Sequence, residues 1–309
     1  MFNHLIPISD DVFYRRNDPY DVRLGDVAYC NRDMYDEANV VVLGCPQDIG
    51  VIRNKGRAGA AGGPDAIRRE LYKYPVSKEH EHLKLVDIGN VDVSGELEDI
   101  HSRLHDVVTE ILKDGKKIVI LGGGNDISYP DCCALAGVSE KPLVFNIDRH
   151  LDVRADNERN SGTPYRQLLE ECISPERFHE VGINTFANSQ GYLDYVENKG
   201  AHIHLLGDIR EKGVRKTLEQ VVRSSDADTI FWGFDMDVVR AAEAPGVSSP
   251  GPMGFTAVEI CEVADAAAMD ERTRIIEITE VNPKYDINDL TSKLAANVIM
   301  RALAKGENS

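Results

Sequence analysis

The sequence predicts one doubly wound α/β domain, a mostly parallel eight-stranded sheet with helices on both faces. Three observations carry that expectation. Strand-like apolar runs alternate with amphipathic helical stretches along the whole chain. The runs are apolar nearly throughout, as in central strands covered on both faces. No linker, repeat or low-complexity segment divides them. At 309 residues, a core expected over 39–309 with an N-terminal extension over 1–38 needs no disulfide or zinc staple.

The strands are expected at 39–45 (NVVVLGC), 84–91 (KLVDIGNV), 117–122 (KIVILG) and 143–148 (LVFNID). The remaining four are 179–183 (HEVGI), 202–206 (HIHLL), 229–235 (TIFWGFD) and 275–281 (IIEITEV). A helix is expected over 64–73, because Pro64 follows Gly62-Gly63 as a first-turn proline. Over 96–114, Leu97, Ile100, Leu104, Val107, Val108 and Ile111 recur at helical steps and make one buried stripe. A last helix is expected over 286–305, with Lys293, Arg301 and Lys305 on its solvated face.

Composition excludes several classes. Lys+Arg 35 against Asp+Glu 52 gives a net charge of −17, which repels nucleic acid and anionic membranes. No apolar run approaches the ~20 residues of a membrane span, and the N-terminus does not read as a secretory signal. Cys30, Cys45, Cys132, Cys133, Cys172 and Cys261 form no CxxC pair. They are expected to be reduced, mostly buried thiols of a cytoplasmic protein, none of them a nucleophile.

In a sheet of this kind ligands bind beyond the carboxyl ends of the strands. After 143–148 the chain reads Asp148-Arg149-His150-Leu151-Asp152, and after 229–235 it reads Asp235-Met236-Asp237. Alternate spacing puts each set on one side of a strand end. Four carboxylates and an imidazole suit Mn²⁺ better than a soft metal, and about two divalent cations would neutralise their mutual repulsion.

These residues carry a resemblance. DRHLD is similar to the D-A-H-x-D motif of the arginase/agmatinase/formimidoylglutamase (ureohydrolase) superfamily. GFDMDVVRAAEAPGVSSPGPMGF resembles its second signature, Glu280-Val281-Asn282-Pro283 its E-V-N-P run, and Gly122-Gly123-Gly124-Asn125 its G-G-x-H turn. GVIRNKGRAGAAGGPDAIRREL and Ser161-Gly162-Thr163-Pro164-Tyr165 resemble the formimidoylglutamase branch. The resemblance implies an arginase-like fold, a homo-oligomer, and hydrolysis of a small linear amidine through a metal-bridging hydroxide. The implied substrate is N-formimidoyl-L-glutamate, giving L-glutamate and formamide in histidine degradation.

The resemblance also implies roles. Asp148 and Asp235 would bridge two Mn²⁺ ions, His150 and Asp237 completing one (site B) and Asp152 the other (site A). Asn125 stands where the family has the remaining site A histidine. An amide oxygen is a weaker donor, so site A is expected to hold its ion poorly or stay empty. Glu280 would hold the cationic nitrogen and Asp152 carry a proton to the leaving amine. Arg53, Asn54, Arg57, Ser161, Thr163 and Tyr165 would bind substrate, with Arg53 and Arg57 as guanidinium forks for its carboxylates. Tyr165 replaces an arginase histidine, and Arg240 replaces an acidic residue, either pairing with a carboxylate or reshaping the entrance. Two other readings remain open: a ureohydrolase acting on another guanidino acid, and a metal-poor binding or regulatory relative motivated by Asn125.

Overall fold

The computed structural model describes residues 2–30 and 32–304. Nine strands form one sheet: β1 (Leu5–Ile6), β2 (Val40–Cys45), β3 (Leu85–Val91), β4 (Lys117–Gly122), β5 (Pro142–Ile147), β6 (Phe178–Ile183), β7 (His202–Leu205), β8 (Thr229–Asp235) and β9 (Thr273–Thr279). Their spatial order is β1-β3-β2-β4-β9-β8-β5-β6-β7. The eight expected strands are all present and pair in parallel. The ninth, β1, pairs antiparallel with β3 through Leu5↔Val91. A two-residue strand carries no periodicity, so the eight-strand expectation missed it.

Every residue of β2 and β5 is buried, because helices cover both faces of the sheet. Helices 63–71, 257–268 and 290–303 pack on one face, through Ile67, Leu71, Ile260, Val263 and Ile299. Helices 97–113, 128–138 and 164–171 pack on the other, through Leu104, Val108, Leu135 and Leu168. The last helix spans Leu290–Leu303, later than expected, because Asp286 ties back to the amides of Thr291 and Ser292. Lys305 lies outside the described residues. No helix among them is long and apolar enough to cross a membrane.

The expectation of six reduced thiols is overturned at one pair. Cys133 and Cys172 form a disulfide, with Cα atoms 5.4 Å apart. Helix 128–138 packs against helix 164–171, and this juxtaposition of residues 39 apart in sequence has no spacing signature. Cys30, Cys45, Cys132 and Cys261 are free.

At the other sheet edge His179 donates to or accepts from His204 across 3.0 Å, and His202 stacks on His179. Burial, then the neighbouring imidazoles, push His179 down to about 3; burial and His202 push His204 down to about 4. Both rings are therefore neutral in the fold, while the unfolded chain takes up protons below about 6.5. Their stabilisation is complete above that pH and drains away as pH falls toward 3–4. The pH slope of stability across this window should be shallower in His179→Leu than in wild type, by up to about 1.4 kcal/mol per pH unit. Urea unfolding at several pH values measures it; parallel slopes would refute the assignment.

Candidate metal centre

The strands adjacent at the middle of the sheet, β4-β9-β8-β5, are far apart in sequence, and each ends in an acidic or amide group. Asn125 follows β4, Glu280 follows β9, Asp235 closes β8 with Asp237 beyond it, and Asp148 follows β5. The Gly123 turn is tight: a Cβ there would lie 1.7 Å from the Gln47 carbonyl oxygen. Gly123 also accepts from the Glu280 amide at 2.8 Å, which locks the β4 and β9 ends together. Asp152 (φ 46°) and Glu280 (φ 64°) both sit in left-handed backbone, which non-glycine residues rarely adopt. Such conformations concentrate at functional sites.

Two groups of ligand atoms converge, Asp148/His150/Asp152 and Asp148/Asp235/Asp237, each within 4.8 Å internally and sharing Asp148. His150 Nδ1 lies 3.2 Å from Asp237 and 3.5 Å from Asp148. The Asn125 side-chain amide donates to Asp152 at 2.9 Å, while its oxygen accepts from Ser128 at 3.0 Å and Thr279 at 3.1 Å. Glu280 accepts from the Asn125 backbone amide at 2.8 Å. One oxygen of Asp237 is buried without a partner.

The electrostatics follow from crowding acids out of water. Burial, then the Asp237 charge, raise Asp148 to about 6, and burial followed by the neighbouring aspartates raises Asp152 and Asp235 well above the usual range. Burial raises Glu280 to about 8, with Asp237 adding to it. Burial opposes the charged form of His150, but Asp237 and Asp148 outweigh it and bring the imidazole to about 12. In the metal-free protein this centre therefore holds protons where it could hold cations. A set of four aspartates and one imidazole, buried except for the half-buried His150 and Asp152 and with an orphaned carboxylate oxygen, fits a pair of divalent ions of borderline hardness.

Comparison with known proteins agrees. The arginase family model matches residues 38–304. The chain belongs to the arginase family. Among curated relatives, formimidoylglutamase of Staphylococcus haemolyticus is 34% identical over 269 residues, 85% of each chain. Among solved structures, Trypanosoma cruzi formiminoglutamase with Mn2+2 superposes with a TM-score of 0.86 at 31% identity, covering 92% of this chain and 98% of that one. Formimidoylglutamase from Bacillus subtilis gives a TM-score of 0.86 at 31% identity over 94% and 95% of the two chains.

Against this arginase-family frame the six metal-ligand candidates lie together, with Glu280 beside Asn125. The substrate-binding candidates do not behave as one set. Arg53 is committed to Glu98 at 2.8 Å and to the Arg159 carbonyl. Arg57 donates to the Val247 and Pro245 carbonyls and lies over the Tyr285 ring at 4.1 Å. Neither is a free fork for carboxylate; sequence shows the guanidinium but not the partner already holding it. Asn54 donates to the Ser161 hydroxyl at 3.0 Å. Thr163 is buried and closes the 160–163 turn through Asn160. Tyr165 is wholly buried with its ring against Phe178, so it lies beneath the centre rather than at its mouth. Arg240 pairs with Glu243, three residues on, which settles its open alternatives in favour of a carboxylate partner.

Sequence reasoning missed Ser128 and Thr279, which hold the Asn125 amide, because a serine on a helix and a threonine in a strand give no motif. It also passed over Arg149, which sits between two residues of the metal-ligand triplet, and Arg154, which follows it.

Metal uptake must displace the protons described above. Mn²⁺ uptake by the metal-free protein should weaken steeply as pH falls through about 6, where Asp148 protonates, and should release protons at pH 7. Titration with MnCl₂ in weak buffer containing a pH dye measures both. Uptake without acidification would contradict the protonated centre.

Proposed function

We propose that this arginase-family chain is a Mn²⁺-dependent hydrolase of linear amidines whose substrate is N-formimidoyl-L-glutamate. The observation that supports it is the pair of converging ligand groups that share Asp148, one with an imidazole and one of carboxylates alone, with Glu280 placed beside Asn125. Asp148, Asp235, His150 and Asp237 would hold one ion, and Asp148, Asp235 and Asp152 the other, with Asn125 joining them once its side chain turns its oxygen from Ser128 and Thr279 toward Asp152. The ions, when bound, would lower the pKa of water and polarise the amidine. Water oxygen joins the amidine carbon, the bond from that carbon to the glutamate nitrogen breaks, and formamide and glutamate leave.

The chain's own groups would do the rest. Glu280 Oε1, fixed by the Asn125 amide, presents a carboxylate to the amidinium nitrogen as positive charge shifts there. Asp152 is placed to carry the proton that the glutamate nitrogen takes on leaving. Relatives named formimidoylglutamase, similar over most of both chains, favour this substrate within the family. The same reading includes a homo-oligomeric assembly and a cytoplasmic location.

The test is metal per chain by elemental analysis after equilibration with excess Mn²⁺, followed by assay on formimidoylglutamate and on guanidino acids. About two ions per chain and preference for formimidoylglutamate are expected. Preference for a guanidino acid would redirect the reading to another ureohydrolase, and zero ions would favour a binding relative. Because an imidazole is a stronger donor than an amide, Asn125→His should retain its second ion through dialysis better than wild type. Equal retention would show that the amide is not the weak point.

A further inference from the structure

We propose that Arg149 and the cavity beside it receive the substrate carboxylate farther from the amidine, an inference that rests on the dicarboxylate reading above. The argument begins with what a dianionic substrate needs. Its amidine goes to an acidic centre, so its carboxylates need cations elsewhere. Arg53 is held by Glu98, and Arg57 is held in part, its Nη2 on the Val247 carbonyl and its ring contact on Tyr285, while its Nε is buried without a partner. Arg159 lies over the Tyr129 ring and against His101, Arg240 and Arg166 pair with Glu243 and Glu170, and Arg154, two residues past Asp152, is exposed to water.

Arg149 makes no side-chain hydrogen bond or ion pair among the described residues. It sits in the chain between the metal-ligand candidates Asp148 and His150, and its Nε is buried with no hydrogen-bond partner. A buried guanidinium nitrogen with nothing to donate to is costly unless an acceptor arrives. The surroundings make room for the group: a Cβ on Gly251 would lie 1.5 Å from its Nη1. The backbone is pinned, because the Arg149 carbonyl accepts from the Asn184 amide at 3.1 Å and the Asn188 side chain at 2.9 Å.

Arg149 lines a cavity of about 690 Å³ together with Asn184, Thr185, Leu205, Asp208 and Met253. These residues lie at the carboxyl ends of β6 and β7 and in the 250–253 loop. Strands lie ~4.8 Å apart, so the cavity stands one to two strand spacings from the ligands on β5. In N-formimidoylglutamate the far carboxylate is five bonds from the amidine carbon, roughly 6 Å when extended. Leu205 and Met253 offer apolar wall for the methylenes, and Asn184 and Thr185 offer polar atoms. Asp208 shares the cavity without an ion pair to Arg149 among the described residues, and it would repel a carboxylate that strayed from the guanidinium.

The test uses Mn²⁺-loaded protein and two substrates, N-formimidoyl-L-glutamate and N-formimidoyl-L-norvaline, which lacks only the far carboxylate. Arg149→Met should raise KM for the first by about 10- to 100-fold, leave KM for the second unchanged, and keep the metal content of wild type. Arg149→Lys should recover part of the loss. Should Arg149→Met fail to fold, Gly251→Ala pushes a methyl into the guanidinium and should shift KM in the same selective direction. Equal changes on both substrates, or none, would overturn the assignment. If wild type hydrolyses neither amidine, the parent reading falls separately. Calorimetric binding of L-glutamate against L-norvaline then decides: selective loss in Arg149→Met supports the site, and equal binding refutes it.

Discussion

Asp148→Asn is expected to cost the protein its metal pair while making the metal-free fold more stable. Asp148 is the one carboxylate common to both converging groups, and its side chain is wholly buried. Removing its charge should weaken Mn²⁺ binding and any amidine hydrolysis by more than about 100-fold, beyond what is usual for a residue that only supports a ligand. Stability should move the other way. An acid raised from 3.8 to about 6 opposes folding once pH exceeds its unfolded value, by an amount on the order of 2–3 kcal/mol at pH 7. The metal-free wild type should therefore lose this much stability as pH rises from about 4 to about 6, and the asparagine variant should not. Reading the difference between the two proteins cancels the opposite trend from His179 and His204. Thermal melts with and without Mn²⁺ across that range measure both effects. A variant less stable than wild type without metal would mean that Asp148 is held by hydrogen bonds rather than strained by its neighbours.

Glu280→Gln is expected to lower kcat/KM on formimidoylglutamate by about 10²- to 10³-fold with metal content unchanged, the loss usual for one preorganised electrostatic partner of a transition state. The glutamine retains an oxygen for the Asn125 amide, so the turn after β4 should survive. What it loses is negative charge facing the amidinium. Burial keeps Glu280 near 8 in the metal-free protein, so at pH 7 it is mostly protonated there and must ionise when cations enter beside it. Steady-state kinetics with elemental analysis separates the roles. A loss of Mn²⁺ in the variant would place Glu280 among the groups that hold the ions.

Much of the fold was legible because long apolar runs report burial on both faces. The runs at 39–45, 117–122 and 229–235 correspond to β2, β4 and β8, while β1 is too short to carry a pattern. The metal-ligand candidates were legible for a local reason: alternate spacing at a strand end puts Asp148, His150 and Asp152 near one another whatever the rest of the chain does. The carboxylate clamps were not. A guanidinium in a glycine-rich loop looks the same in sequence whether Glu98 or a ligand faces it, and Glu98 lies 45 residues from Arg53.

By itself, then, the sequence determined the parallel sheet, the family and the acidic strand ends, since periodicity, motifs and alternate spacing are properties of neighbouring residues. Only the tertiary structure decided which charges remain unsatisfied. It brought β4, β9, β8 and β5 side by side, joined Cys133 to Cys172, bound Arg53 to Glu98 and Arg57 Nη2 to backbone carbonyls, and left the Arg149 side chain without a polar partner among the described residues. Whether a polar group is free depends on what packs against it, and most of those partners come from distant parts of the chain.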